Sequence, residues 1–65
     1  MNLESVLQKL DEQINYCKSR IDEYSEKIVK NRDDERRIKC YSQNRTVFYM
    51  KYEALCDFRD SIKIT

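Results

Sequence analysis

The chain has no glycine, no proline, no histidine and no tryptophan. Without glycine, a tight turn that needs a positive φ has no natural occupant, and without proline the rigid turn corners are missing too. A β-sandwich or a doubly wound sheet within 65 residues needs several such turns. Helices joined by one connection need almost none. Without histidine the commonest general base and metal ligand is absent. No glycine-rich loop can cradle a phosphate, and no serine sits in a nucleophile elbow. The carboxylates of Asp33, Asp34, Glu35, Asp57 and Asp60 follow no calcium-loop spacing and read as solvated surface. A non-enzymatic protein without metal or cofactor is therefore expected.

Long apolar runs are missing as well, so no stretch reads as a bilayer span. The opening Met1-Asn2-Leu3-Glu4 lacks a basic-then-apolar leader, and no secretory signal is expected. Cys17, Cys40 and Cys56 are odd in number and without Cys-x-x-Cys spacing. They read as reduced thiols, which points to an intracellular, cytoplasmic protein. The sequon Asn44-Arg45-Thr46 is then read as coincidence.

What is present is helix-forming. Charged residues make up 38% of the chain, with Leu, Ile, Lys, Glu and Arg prominent. From the start, Leu3, Leu7, Leu10, Ile14, Cys17, Ile21, Tyr24 and Ile28 step alternately by four and three residues. That is a strict heptad, with Leu7, Ile14, Ile21 and Ile28 at a and the others at d. Asn2 suits an N-cap, and Glu23 with Lys27 is a supporting i,i+4 pair.

The pattern stops in Lys30-Asn31-Arg32-Asp33-Asp34-Glu35-Arg36-Arg37, where nothing can be buried cheaply. Asn31 tolerates the left-handed conformation that ends helices, and Asp33 suits the next N-cap. Beyond it Tyr41, Phe48, Leu55 and Ile62 repeat every seven residues. Ile38 and Tyr52 join on one side, and Val47, Ala54 and Phe58 on the other. This apolar stripe is wider than a coiled-coil seam.

The expected fold is all-α: one domain over residues 1–65, an antiparallel hairpin with helices near 3–30 and 34–62. The alternative is one continuous coiled-coil helix of about 90 Å. With the turn centred on Arg32-Asp33, facing residues should have numbers adding to about 65 in an antiparallel pair. Leu3 then meets Ile62, Leu10 meets Leu55, Cys17 meets Phe48, Tyr24 meets Tyr41 and Leu7 meets Phe58.

Chains below about 70–80 residues usually need a staple, a metal or a partner. Self-association into a homodimeric four-helix bundle, burying the Val47–Phe58 face, is the expected supplement. The likeness to small plasmid RNA-binding hairpins of comparable length is one of fold only, since none of their motifs occurs here.

Three functional classes follow. The first is a protein–protein interaction module: an adaptor, regulator or inhibitor docking a larger protein, of the short accessory kind found on phages and mobile elements. Its expected contacts are Ile38, Tyr49, Met50, Tyr52 and Cys56, on an edge that the first helix does not reach; tyrosine adds large area at low entropic cost. The second is a nucleic-acid or anion binder using the basic tip, Lys30, Arg32, Arg36, Arg37 and Lys39. The third is a structural assembly subunit. The net charge of only +1 argues against general steering onto nucleic acid or membrane.

Overall fold

In the computed structural model, which describes residues 2–64, the chain is a two-helix antiparallel hairpin. Helix α1 runs Leu3–Lys30 and α2 runs Glu35–Ile64. The continuous-helix alternative is excluded by the turn at residues 31–33.

Three of the helix ends, the start of α1 and both sides of the turn, are closed by side chains. The Ser5 N–H donates to Asn2 Oδ1 at 2.8 Å, the N-cap expected for α1. Asn31 ends α1, but not through a left-handed backbone: its φ is −112°. Both its backbone N–H and its side-chain Nδ2 donate to the Lys27 carbonyl, at 3.0 and 2.8 Å. Its Oδ1 accepts from Arg37 at 3.4 Å. The asparagine serves by its amide rather than by its conformational tolerance. The second cap is also displaced from expectation, from Asp33 to Asp34. The Asp34 N–H bonds back to the Asn31 carbonyl at 2.9 Å, which completes the turn one residue later. Asp34 Oδ1 then accepts from the Arg37 N–H at 3.2 Å. Such caps contribute about 1 kcal/mol each. Acid sits in the first turn of each helix (Glu4, Glu35) and base in the last (Lys27 and Lys30, Lys63), as the helix dipoles favour.

The seam of α1 follows the heptad. Ile14, Cys17 and Tyr24 are the only buried residues among those described, with Leu7, Leu10, Ile21 and Ile28 half-buried beside them. Leu3 is largely exposed, because side chains on a helix lean toward its N-terminus and carry Leu3 past the end of the pairing.

The seam of α2 is narrower than the sequence suggests. Ile38, Tyr41, Arg45, Phe48, Tyr52, Leu55, Arg59 and Ile62 are all half-buried, again spaced by three and four. Val47, Ala54 and Phe58 belong to a different side: all three are exposed. The expected contact of Leu7 with Phe58 is not made in a form that buries Phe58. The wide stripe is thus two stripes, one facing α1 and one facing away.

The register shifts with side-chain length. Tyr24 and Tyr41 meet as expected, with ring centroids 6.1 Å apart. Longer side chains pair further along: Asp11 with Arg59 at 3.2 Å and Ser25 with Arg45 at 3.4 Å. Side chains of both helices lean toward their own N-termini. In an antiparallel pair, α1 side chains therefore lean away from the turn and α2 side chains toward it. A long α2 arginine reaches a level nearer the turn than its own Cα, so its partner carries a higher number.

The hairpin is a rod of 48 × 14 × 14 Å with a radius of gyration of 14.9 Å. A compact globule of this length would have about 10.7 Å.

Candidate protein interface

Two flanks border the seam, and they differ in chemistry. On one flank α1 places Tyr16, Arg20, Tyr24 and Lys27 at spacings of three and four, one above the other. Across from them stand Tyr41 and Phe48 of α2. Tyr16 meets Phe48 edge-on at 6.1 Å, and Tyr24 stacks on Phe48 at 6.0 Å. Cations fill the gaps: the Arg20 guanidinium lies 5.1 Å from the Tyr24 ring and 5.6 Å from Phe48. Lys27 lies over Tyr24 and Tyr41, and Lys51 lies 5.2 Å over Phe48. Glu23 binds both cations of α1, Arg20 at 2.8 Å and Lys27 at 3.3 Å. Arg20 also donates to the Tyr24 hydroxyl at 2.9 Å. Desolvation lowers the Arg20 pKa, but Glu23 and Tyr24 together outweigh it and hold the guanidinium above its ordinary value. This flank is largely covered by its own contacts, although Arg20 Nε has no hydrogen-bond partner.

The other flank is open. Ile21 and Ser25 of α1 with Arg45, Thr46 and Tyr49 of α2 line a groove of about 300 Å³. Tyr49 is half-exposed at 50%, with its ring 6.3 Å from that of Tyr52. Next along the helix surface Met50 is 63% exposed. A second shallow groove, about 420 Å³, runs over Lys39, Ser42, Gln43, Thr46 and Val47.

The five expected contact residues are therefore divided. Tyr49 and Met50 are exposed, whereas Ile38, Tyr52 and Cys56 are half-buried on the side facing α1. The edge is not beyond the reach of the first helix: Ile38 and Tyr52 continue its seam. The expected tip residues Lys30, Arg32, Arg36, Arg37 and Lys39 are all exposed near the turn. Arg37 is committed to Asp34 at 3.4 Å and to Asn31. Cys17 is buried, Cys40 exposed and Cys56 half-buried, all as free thiols.

Arg45 and Arg59 are the residues that reading for apolar stripes overlooks. They occupy seam positions that a coiled coil would fill with apolar side chains. Arg59 bonds Asp11 across the hairpin and lies 3.7 Å from Asp60, and its Nε has no hydrogen-bond partner. The Asp11 hydrogen bond raises the Arg59 pKa, so it stays charged at any accessible pH. The signal was there in the spacing: Ile38, Tyr41, Arg45, Phe48, Tyr52, Leu55, Arg59 and Ile62 keep the heptad once arginine is admitted.

No helix of the described residues is long and apolar enough to cross a membrane. Comparison with protein-family models, with curated proteins and with solved structures finds no match.

Proposed function

We propose that the chain is a small, non-enzymatic protein–protein interaction module of an intracellular setting, an adaptor, regulator or inhibitor that docks a larger protein along the open flank of α2. The observation that carries this reading is the exposure of Tyr49 and Met50 beside the groove lined by Ile21, Ser25, Arg45, Thr46 and Tyr49. A half-covered tyrosine next to an unfilled groove offers a rigid aromatic anchor and a recess for the partner's own side chain. Met50 supplies an adaptable rim. Tyr52, half-buried, supports the Tyr49 ring, with centroids 6.3 Å apart.

A photo-reactive residue placed at Tyr49 or Met50 in cells should crosslink one larger protein. The same residue at the exposed Glu12 or Asp22 of α1 should not. Equal crosslinking from both helices, or none from α2, would remove the assignment.

A second reading, nucleic-acid or anion binding at the tip, is favoured by the exposure of Lys30, Arg32, Arg36 and Lys39. Asp33, Asp34 and Glu35 are interleaved with those bases, and Arg37 is already paired, which weakens the field. A structural assembly role is the third possibility and uses the same α2 surfaces.

A further inference from the structure

Two arginines of α2 stand in the seam in the same way and are met differently. Arg59 bonds Asp11 across the hairpin at 3.2 Å. Two heptads back along α2, and two forward along α1, Arg45 faces Ser25. The arrangement is repeated, but the second instance lacks the acid. Arg45 has only the Ser25 hydroxyl, at 3.4 Å.

That sets Arg45 apart from comparable cations. Among the described residues the half-buried ones are Arg20, Lys27, Arg45 and Arg59. Glu23 binds Arg20 and Lys27, and Asp11 binds Arg59. Arg45 makes no ion pair among the described residues. Asp22 and Glu26, near Ser25 in α1, are exposed and do not reach it. Along α2 no acid occurs from Arg36 through Tyr52.

A half-buried guanidinium without an anion has lost hydration and has no charge to replace it. Its five N–H donors form a fixed fork that matches a carboxylate through two parallel bonds. Ser25 occupies one donor, at long range. The Nε atoms of Arg20 and Arg59 are sealed off without a partner, but no Arg45 nitrogen is, so its remaining donors stay accessible. Arg45 also lines the groove of about 300 Å³ shared with Ile21, Ser25, Thr46 and Tyr49. The Ile21 side chain and the Tyr49 ring limit water there, which strengthens any charge pair formed beside them.

We infer that this groove takes the carboxylate of an Asp or Glu side chain presented by the larger partner, bound by Arg45 with the Ser25 hydroxyl beside it. The partner supplies the acid that position 25 lacks. The same contact explains why an arginine stands at a seam position that leucine would fill. This inference rests on the Tyr49 flank as the docking surface and names the chemistry of what enters it.

The test titrates the purified full-length chain with propionate, a stand-in for the glutamate side chain, against chloride at constant ionic strength. Backbone amide signals of Ser25, Thr46 and Tyr49 should shift and saturate, whereas those of the exposed Arg36 and Lys39 should not. Ser25→Asp places the missing acid within the chain and should weaken propionate binding by about tenfold or more. Arg45→Gln should do the same. Shifts that never saturate, or that are as large at Arg36 as at Ser25, overturn the inference. Saturable binding that both variants retain overturns it too. A variant that loses helix content is set aside, and the parent titration with the remaining variant decides. In cells, the crosslink from a photo-reactive residue at Met50 should be lost in Ser25→Asp. Its survival in both variants overturns the carboxylate contact but leaves the Tyr49 flank as the docking surface. If the parent gives no crosslink from Tyr49 or Met50, that surface is removed, and the propionate titration decides the carboxylate site by itself.

Discussion

Replacing Tyr24 with alanine should unfold the hairpin at 25 °C. Tyr24 is one of the three buried residues described, and the only aromatic one. Its ring lies between Tyr41 and Phe48, with Arg20 and Lys27 over it. Truncating a buried aromatic to alanine costs about 3–5 kcal/mol. A single small core rarely supplies more than about 3–5 kcal/mol in all. The loss therefore approaches the whole stability of the chain. Circular dichroism should show most helical signal gone at low micromolar concentration. Tyr24→Phe separates the ring from its hydroxyl. It keeps the stacking and removes only the acceptor for Arg20, so it should cost about 1 kcal/mol and lower the melting temperature by roughly 4–8 °C. A Tyr24→Ala protein that melts like the parent would show that the ring cluster is not the core.

The arginines in the seam lead to the opposite expectation. Arg45→Leu together with Arg59→Leu should stabilise the chain, because leucine fills the seam without a polar group to desolvate. Each arginine occupies a seam position and is half-buried. Arg59 leaves its Nε without a hydrogen bond there, and Arg45 has only a long contact of 3.4 Å to Ser25. Leucine at both sites would extend the apolar seam. It strands no buried charge, because Asp11 is about half-exposed and returns to water. The melting temperature should rise by roughly 4–8 °C or more, the shift that about 1 kcal/mol gives in a chain of this size. The arginines then read as register devices. Arg59 to Asp11 and Arg45 to Ser25 fix one alignment of the helices, where leucines would accept several. A fall in melting temperature would mean that the arginines hold the seam together rather than merely align it.

The hairpin itself was legible in the sequence because α1 obeys one rule throughout. Along one seam from Leu3 to Ile28 apolar residues step by three and four, and the charged segment that follows breaks that pattern, which favours a turn over one continuous helix. Helix α2 was harder because two stripes overlap on it. Val47, Ala54 and Phe58 sit close enough to Phe48 and Leu55 in a helical projection to look like one broad face. Only the position of α1 separates them. The seam arginines hid the true boundary, since an arginine breaks an apolar count while still fitting a heptad. The same overlap divides the candidate site: Ile38, Tyr52 and Cys56, expected on an outer edge, are half-buried toward α1. The cap of α2 differs by one residue because Asp33 and Asp34 are chemically equivalent, and the choice between them depends on how the turn closes. The sequence marks Asn31 as a helix end, but its mechanism, an amide bonding the Lys27 carbonyl, is a geometric fact that composition does not carry.

The rod is only 14 Å thick and buries three side chains among the described residues, and we propose that covering α2 completes it. Thermal melting of the purified chain at about 1 µM and at about 500 µM tests it most directly, because association raises the apparent stability of a coupled system by mass action. The expected result is a low, broad transition at the lower concentration and a melting temperature higher by roughly 10 °C or more at the upper one. A sharp transition at the same high temperature at both concentrations would show that two helices suffice and would contradict the account.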